Sequence, residues 1–414
     1  MAETAKSVDI TEGKVAAPPD PWRRYLTRIV VASLLTNIGF GFASPFLPLH
    51  IQDIGSFDAR RAALWAGIIG SVQGPLSFFA GPMWGVLSDW FGRKLNVIRG
   101  AFGAGSVMVL TGVAHSIPQL VVIRASMGVA AGVNPAIMGL GASIAPKKRL
   151  PEAVGILQGV SAFGNTIGPF LGGLFVAWAG IRAGFVMSGV ILASAGLVVL
   201  FGVRESVRAA ASAKSLKGFW HEVSSLARSP GVLGALGVLA LVQLAPNLYA
   251  STVPLFLRSL HPGLGTPIIG LFFTIVGLST TVAAWTAAAL LHRIGFRTLM
   301  LGAGLTGMVG VLGLAVSGSV ALALACAVPV GLAIGALATG ASALVGTVAP
   351  KDRQGAAFGV IQAANAVGFG SGPFIGGLAA NGFGLRTPFF MAAAAFLVLA
   401  LITLRFRKDL GAER

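Results

Sequence analysis

Gly164-Asn165-Thr166-Ile167-Gly168-Pro169-Phe170-Leu171-Gly172-Gly173 returns later in the chain as Gly368-Phe369-Gly370-Ser371-Gly372-Pro373-Phe374-Ile375-Gly376-Gly377. The offset is 204 residues, Gly168 to Gly372, and it holds over a longer tract. Ala145-Pro146-Lys147-Lys148-Arg149 lies over Ala349-Pro350-Lys351-Asp352-Arg353, Gly155 over Gly359 and Gln158 over Gln362. Composition alone predicts roughly 0.06 matches to a G-P-x-x-G-G pattern in a chain this rich in glycine. Two matches at one offset therefore mark a duplication, and the chain consists of two related halves.

What each half is made of follows from composition. Only 10% of the 414 residues are Asp, Glu, Lys or Arg, where soluble domains carry about 25%. With 55% hydrophobic residues and a mean hydropathy of +0.84, the apolar residues fall in runs long enough to cross about 30 Å of hydrocarbon. The runs place spans near 25–50, 63–86, 96–114, 119–143, 153–178, 184–203, 231–257, 266–291, 298–316, 320–346, 355–380 and 388–404. They are continuous rather than alternating, which excludes a membrane β-barrel. The expected fold is thus all-α and membrane-embedded, with a polar tail over 1–24, a six-helix bundle over 25–203, a charged linker over 204–230, a second bundle over 231–404 and a tail over 405–414. A signal peptide is not expected, because the run after Arg23, Arg24 and Arg28 is long and eleven more follow.

The formal net charge of +17 would point to nucleic acid in a soluble protein; here it reports topology. With the N-terminus inside, Arg60, Arg61, Arg182, Arg258 and Arg386 lie outside and Arg124 lies within a span, leaving 24 of the 30 basic residues inside. Positive loops stay cytoplasmic, so both termini are expected in the cytoplasm of a bacterial inner membrane, with the basic loops against anionic lipid and no nucleic acid as partner. Because the fifth and eleventh spans both follow cytoplasmic loops, the halves are parallel repeats about an axis along the membrane normal, with a cavity between them near the midplane. The lone Cys326 and five dispersed histidines offer no disulfide and no metal-ligand spacing. No G-x4-G-K-[ST] is present either. No cofactor is expected.

Gly164, Gly168 and Gly172, with Pro169 and Gly173 beside them, form a small-residue face at i, i+4 spacing that allows close helix approach. Gly368, Gly372, Pro373, Gly376 and Gly377 repeat it, and Gly168 and Gly372 are expected where the two bundles touch. The loop after the second span reads Gly85-Val86-Leu87-Ser88-Asp89-Trp90-Phe91-Gly92-Arg93-Lys94. This G-x3-D-x2-G-R-K resembles the loop signature of the major facilitator superfamily of secondary transporters. Gly164-x3-Gly168-Pro169-x2-Gly172-Gly173 resembles the motif of its twelve-span drug:proton antiporter branch, and Arg124-x3-Gly128 and Pro45-Phe46-Leu47-Pro48 are similar to further features of that branch. The resemblance covers residues 22 to 405. It implies that Gly85, Asp89, Gly92, Arg93 and Lys94 form a cytoplasmic gate, with Asp89 capping the eleventh helix near Gly355, where a helix dipole favours a carboxylate. In the second half the matching loop, Ala288 to Arg297, carries His292 in place of the acid.

Arg124 is an ionisable residue inside a span, at a cost of about 2.5 to 3.5 kcal/mol in hydrocarbon, so it is expected to face the interior beside a partner. None of the thirteen acids lies mid-span, although several antiporters of the branch carry an acid in the first span. His50 and Asp53, at the outer end of that span, are therefore the remaining coupling candidates, with Arg124 placed close to Asp53. Uncharged residues are left to line a cavity: Asn37, Phe40, Gln73, Gln158, Gln362 and Asn365 are the substrate-binding candidates, with Asn134, Asn165, Gln243, Asn247 and Phe163 as further polar or aromatic groups. The expected function is export of amphipathic small molecules by a monomer through alternating access, with proton antiport. The rival readings are a facilitator or symporter for an organic anion or sugar, which Arg124 would suit, and a membrane-embedded enzyme or receptor, which the absence of clustered acids and histidines opposes.

Overall fold

The computed structural model describes residues 21–130, 132–204, 230–348 and 354–404. The linker, both tails and the loop before the eleventh span lie outside the described residues, as do the side chains of Asp89, Gln362 and Asn365. Helix follows helix, and no strand occurs among the described residues. The first span is α1 (Pro21–Ala43), a 3-10 turn (Ser44–Phe46) and α2 (Leu47–Gly55). It runs longer than its apolar core, because Pro45 and Pro48 interrupt the ladder without ending the rod. The second and third spans are α3 (Ala59–Phe91) and α4 (Arg93–Val113), and the fourth is split into α5 (Ile117–Ala130) and α6 (Val133–Ile144). The fifth and sixth are α7 (Leu150–Ala179) and α8 (Ile181–Gly202).

The second half repeats the order with α9 (Pro230–Ala250), α10 (Val253–Leu260), α11 (Thr266–Val316), α12 (Val320–Val348), α13 (Gln354–Phe383) and α14 (Thr387–Thr403). The 51-residue α11 is two spans that meet at Gly295, whose φ of 78° is not helical. Gly92 holds the equivalent turn in the first half at φ 96°. Only glycine takes that region without a Cβ penalty, so both halves reverse direction within one residue. Each half has its own apolar core. One gathers Ile29, Met108, Leu140, Phe185 and Leu192, and the other Phe272, Met300, Val330, Phe389 and Phe396.

Between the halves, α3 packs on α13 and α7 packs on α11. The residues that touch are not the expected ones. A Cβ on Gly164 would meet the Asn37 Cβ at 2.9 Å, one on Gly168 the Ile38 carbonyl oxygen at 3.0 Å, and one on Gly172 would overlap the Phe42 carbonyl. All three partners belong to α1, in the same half. In the second half Gly368 and Gly372 face Gln243 and Asn247 of α9, and Gly376 overlies Leu248. The expectation that Gly168 and Gly372 join the halves is thus corrected. One residue on, a rotation of 100° changes the neighbour. Gly173 abuts Thr266 and Pro267, Pro169 abuts Gly270, Gly377 abuts Ala63 and Gly67, and Pro373 abuts Gly67 and Gly70. These contacts do cross between the bundles.

Both seams run along one end of the molecule and then lapse. Gly67, Gly70 and Gly74 lie against α13, whereas Gly81 and Gly85, on the same face about two and three turns further, would have no atom within 4 Å of a Cβ. On α7, Thr166 and Gly173 touch α11 while Gly159 and Gly155 in the same register face open space. Among the described residues, the seams are closed at the end that carries Asp58 and Gly384 and open at the end that carries the Gly92 turn.

Overpacking at either kind of glycine destabilises by about 1–3 kcal/mol, with different readouts. Gly168→Leu and Gly372→Leu are expected to lower the thermal unfolding temperature by forcing apart helices within one bundle. Gly173→Leu and Gly377→Leu are expected to leave each bundle intact but widen spin-label distances across the Asp58 end; unchanged distances there would show that the closed seam does not depend on these contacts.

Candidate substrate cavity and gate

Three helices of the first half bring amide side chains to one point. Asn37 of α1 is 1% exposed, and its Nδ2 donates to the Ser33 carbonyl oxygen at 2.8 Å. Its Oδ1 accepts from Asn134 Nδ2 at 3.3 Å and from Asn165 Nδ2 at 3.1 Å. Asn134 reaches it because α5 stops and α6 restarts around Gly132 (φ 100°), placing Asn134 in the first turn of the new helix. Asn165 stands on α7 beside Thr166, whose carbonyl accepts from Thr274 Oγ1 of the opposite half at 2.8 Å. The cluster therefore borders the seam between the bundles, beside the Thr166 contact beyond which the stripe opens at Gly159. Asn134 and Asn165 are both exposed, as are Gln158 and Phe163, whereas Phe40 and Gln73 are half-buried. Gln73 sits where α3 crosses Gly128 of α5. Asn247 donates to the Gln243 carbonyl oxygen at 2.7 Å in the other half. Gln158, singled out for its place in the repeat, joins no hydrogen bond among the described residues, while Asn134 and Asn165 carry the network.

At the gate, Gly85 is exposed and Gly92 makes the turn. Lys94 Nζ donates to the Leu200 carbonyl at 2.8 Å, and Arg28 donates to the Gly202 carbonyl beside it. These carbonyls belong to the last turn of α8, which has no intrahelical partner and attracts cations. Arg93 Nη1 donates to Gly139 O near the end of α6 at 2.8 Å. The C-terminal end of α5 receives similar help: Val129 O accepts from Trp84 Nε1 at 2.8 Å and from Arg99 Nη1 at 3.4 Å, and the Arg99 guanidinium lies 3.5 Å from the Trp84 ring centroid. A broken helix inside a bundle needs such donors. The Gly-rich sequence around Gly132 was the signal for the break. The proposed cap by Asp89 lies outside the described side chains.

Arg124 and Asp53 do not meet. Asp53 is exposed, and the ion pair recorded among the described residues is Arg149 with Glu152. Arg124 is 6% exposed, its Nη1 lies 3.9 Å from Met108 Sδ, and its Nε has no hydrogen-bond partner. The carboxylate partner expected for it is absent because the sequence places no acid in a neighbouring span. His50 is as deeply buried, at 1% exposure. Its Nε2 lies 2.9 Å from Thr111 O, which only accepts, so Nε2 carries the proton. The ring packs 5.2 Å from Phe185. In the second half the same place is filled by Phe256 against Phe389 at 4.9 Å, following Pro254-Leu255 as His50 follows Pro48-Leu49.

A family model described as the Major Facilitator Superfamily matches residues 29–320 and 247–414. The chain is 38% identical over 167 residues to the multidrug resistance protein MdtG of Proteus mirabilis and 36% identical over 171 residues to that of Escherichia coli O81. These matches take in 40% and 41% of this chain and 42% of each relative's length. Among solved structures, the nucleoside transporter NupG aligns with a TM-score of 0.79 at 15% identity, covering 92% of this chain and 99% of that one. A bacterial homologue of the lysosomal transporter Spinster, in an inward-facing and occupied conformation, aligns at 0.71 with 16% identity, over 94% and 97%. At these identities the structures share the fold.

A guanidinium in a span with a thioether contact and no carboxylate among the described residues is retained against stability. Arg124→Met is expected to raise unfolding free energy by about 2 kcal/mol, somewhat less than the cost of a charged residue at a helix centre. Chemical denaturation in detergent measures this; a variant less stable than the parent would mean that Arg124 holds the bundle together.

Proposed function

Since the chain belongs to the Major Facilitator Superfamily, we propose that it exports amphipathic and lipophilic small molecules across the bacterial inner membrane by alternating access, exchanging them for protons. The observation that carries this reading is the pair of small-residue seams that close one end of the bundles while the same stripes stand open at the other. Rocking one bundle against the other would transfer the contact from Gly67 and Gly173 to Gly81, Gly85 and Gly159, and expose an uncharged polar wall to each side in turn. The MdtG relatives support drug export as the direction. Both termini and the Gly92 turn face the cytoplasm on the distribution of basic residues, the halves divide at the 204–230 linker, and the transporter works as a monomer with its basic loops on anionic lipid. The rival anion carrier drew on Arg124 and on the lack of acids in the spans; Arg124 is buried beside Met108, which removes the first of these supports.

For coupling, His50 is the stronger of the two candidates, because it puts a ring that can take a second proton where the repeat has a phenyl ring. Protonating its second nitrogen would place a charge in the packed outer end of the first bundle and loosen it. Reconstituted protein is expected to drive labelled substrate uphill when a pH gradient is imposed; uptake indifferent to the gradient removes antiport. His50→Phe should cut substrate-induced proton flux at least ten-fold with little loss of stability, while Asp53→Asn should leave it within about two-fold. Equal flux in parent and His50→Phe would place coupling elsewhere.

Asp89 is assigned to the gate that closes the cytoplasmic side. A carboxylate at a helix start is favoured by about 0.3 to 1 kcal/mol, so Asp89→Asn should enlarge the inward-open population by about two- to five-fold. Spin-label distances across the cytoplasmic end that match those of the parent would remove Asp89 from that role.

A further inference from the structure

Resting on the export reading, we propose that Asn37 is a positioning residue that makes the cavity select for hydrogen-bond donors. It does so by fixing which way Asn134 and Asn165 present their amides.

The chain of constraint begins at a backbone oxygen. Ser33 O can only accept, so the end of Asn37 within 2.8 Å of it must be the NH2 group. Reversing Asn37 would set two oxygens against each other in a buried place, losing one bond and adding a repulsion. With its nitrogen committed, Asn37 turns its oxygen toward α6 and α7. Asn134 and Asn165, at 3.3 Å and 3.1 Å from that oxygen, must then both offer N–H. The direction of all three amides is dictated from the Ser33 carbonyl outward.

What is left over faces the substrate. Each of Asn134 and Asn165 has spent one N–H on Asn37, and each keeps its second N–H and a carbonyl-type oxygen with no partner among the described residues, on a side chain that is exposed. Two such oxygens, from two helices held by one acceptor, form a divergent pair of lone-pair sites. No acid stands beside them among the described residues, and Arg124 is turned away against Met108. A ligand with N–H groups meets two fixed acceptor oxygens without any counter-charge, whereas a fully alkylated nitrogen has no hydrogen to offer them. Asn37 itself, almost completely buried, does not touch the ligand. Ser33 Oγ lies 3.0 Å from Ser161 Oγ, which ties α1 to α7 one turn away and keeps the arrangement rigid.

A pair of fluorescent dyes isolates the effect. Rhodamine 6G and the ethyl ester of rhodamine B are both monocations with the same ester, but the nitrogens of the first carry N–H and those of the second are fully alkylated. Binding to the purified full-length protein is followed by fluorescence polarisation, which does not require transport. The parent is expected to bind rhodamine 6G at least about five-fold tighter, the effect of roughly one net hydrogen bond. Asn37→Leu frees the amides to turn and should bring the ratio to within about two-fold of unity. The double variant Asn134→Ala with Asn165→Ala, which alters exposed side chains only, should do the same and serves if Asn37→Leu does not fold. Equal binding of the two dyes by the parent, or a ratio unchanged in the folded Asn37→Leu or double variant, overturns the inference while leaving export intact. Binding of neither dye, together with no uphill transport of either, overturns both.

Discussion

Helix backbones in this protein touch each other directly, and the rest of the structure follows from that contact. Lipid tails are as apolar as leucine, so helices in a bilayer gain nothing from hiding hydrophobic side chains from one another. They associate through van der Waals contact, and the closest contact is available where no Cβ intervenes. Gly164, Gly168 and Gly172 seat α7 against α1, and Gly368, Gly372 and Gly376 seat α13 against α9. A quarter-turn away, Pro169 and Gly173 or Pro373 and Gly377 meet the opposite bundle. One helix therefore serves as spine of its own half and as half of the hinge. A surface without side-chain knobs also has little to unlock when it slides or parts, which suits a contact that the proposed alternating access would make and break.

The second constraint is that every backbone carbonyl released inside a membrane needs a donor. The fourth span breaks at Gly132, and the cost is met by Trp84 and Arg99 at Val129. The break in turn rotates Asn134 toward Asn37. At the end of α8, Lys94 and Arg28 perform the same service for Leu200 and Gly202. Basic residues that mark topology in the sequence thus double as caps, and this is why Arg93 and Lys94 directly follow the Gly92 turn. Their side chains must reach back to helix ends in their own half.

Much of the architecture was legible because it is written in runs of residues. Span length and the basic loops act over tens of residues, and the duplication survives as Gly-Pro-x-x-Gly-Gly. What was not legible depends on rotation about a helix axis. Two small-residue stripes overlap on α7, and sequence alone gives no reason to assign the Gly168 stripe to α1 and the Pro169 stripe to α11. Asn37, Asn134 and Asn165 were visible as uncharged polar residues, but they converge across separations of 97 and 128 residues. No local pattern encodes such a meeting. Symmetry was no guide to this network either: Gln158, matched to Gln362 in the repeat, joins no hydrogen bond among the described residues, whereas Asn134 and Asn165, which have no matching amide, hold Asn37.

Where the repeats differ is more informative than where they agree. Glycine and proline positions are shared because both halves face the same packing problem. Asn37 and Gln243 occupy equivalent places, each behind a glycine of the long helix, at Gly164 and Gly368. Only the first half, however, gathers two further amides onto that residue among the described side chains. His50 and Phe256 are likewise equivalent, yet only the first half buries a titratable ring there. A duplicated protein that needed both halves for packing alone would have no reason to place an imidazole in one of two identical apolar pockets and an amide cluster beside the same helix. Both departures lie on the first span and α2, which continues it. That rod carries Asn37 at the cavity and His50 at the closed end, so a displacement of one rigid element would reach both groups together.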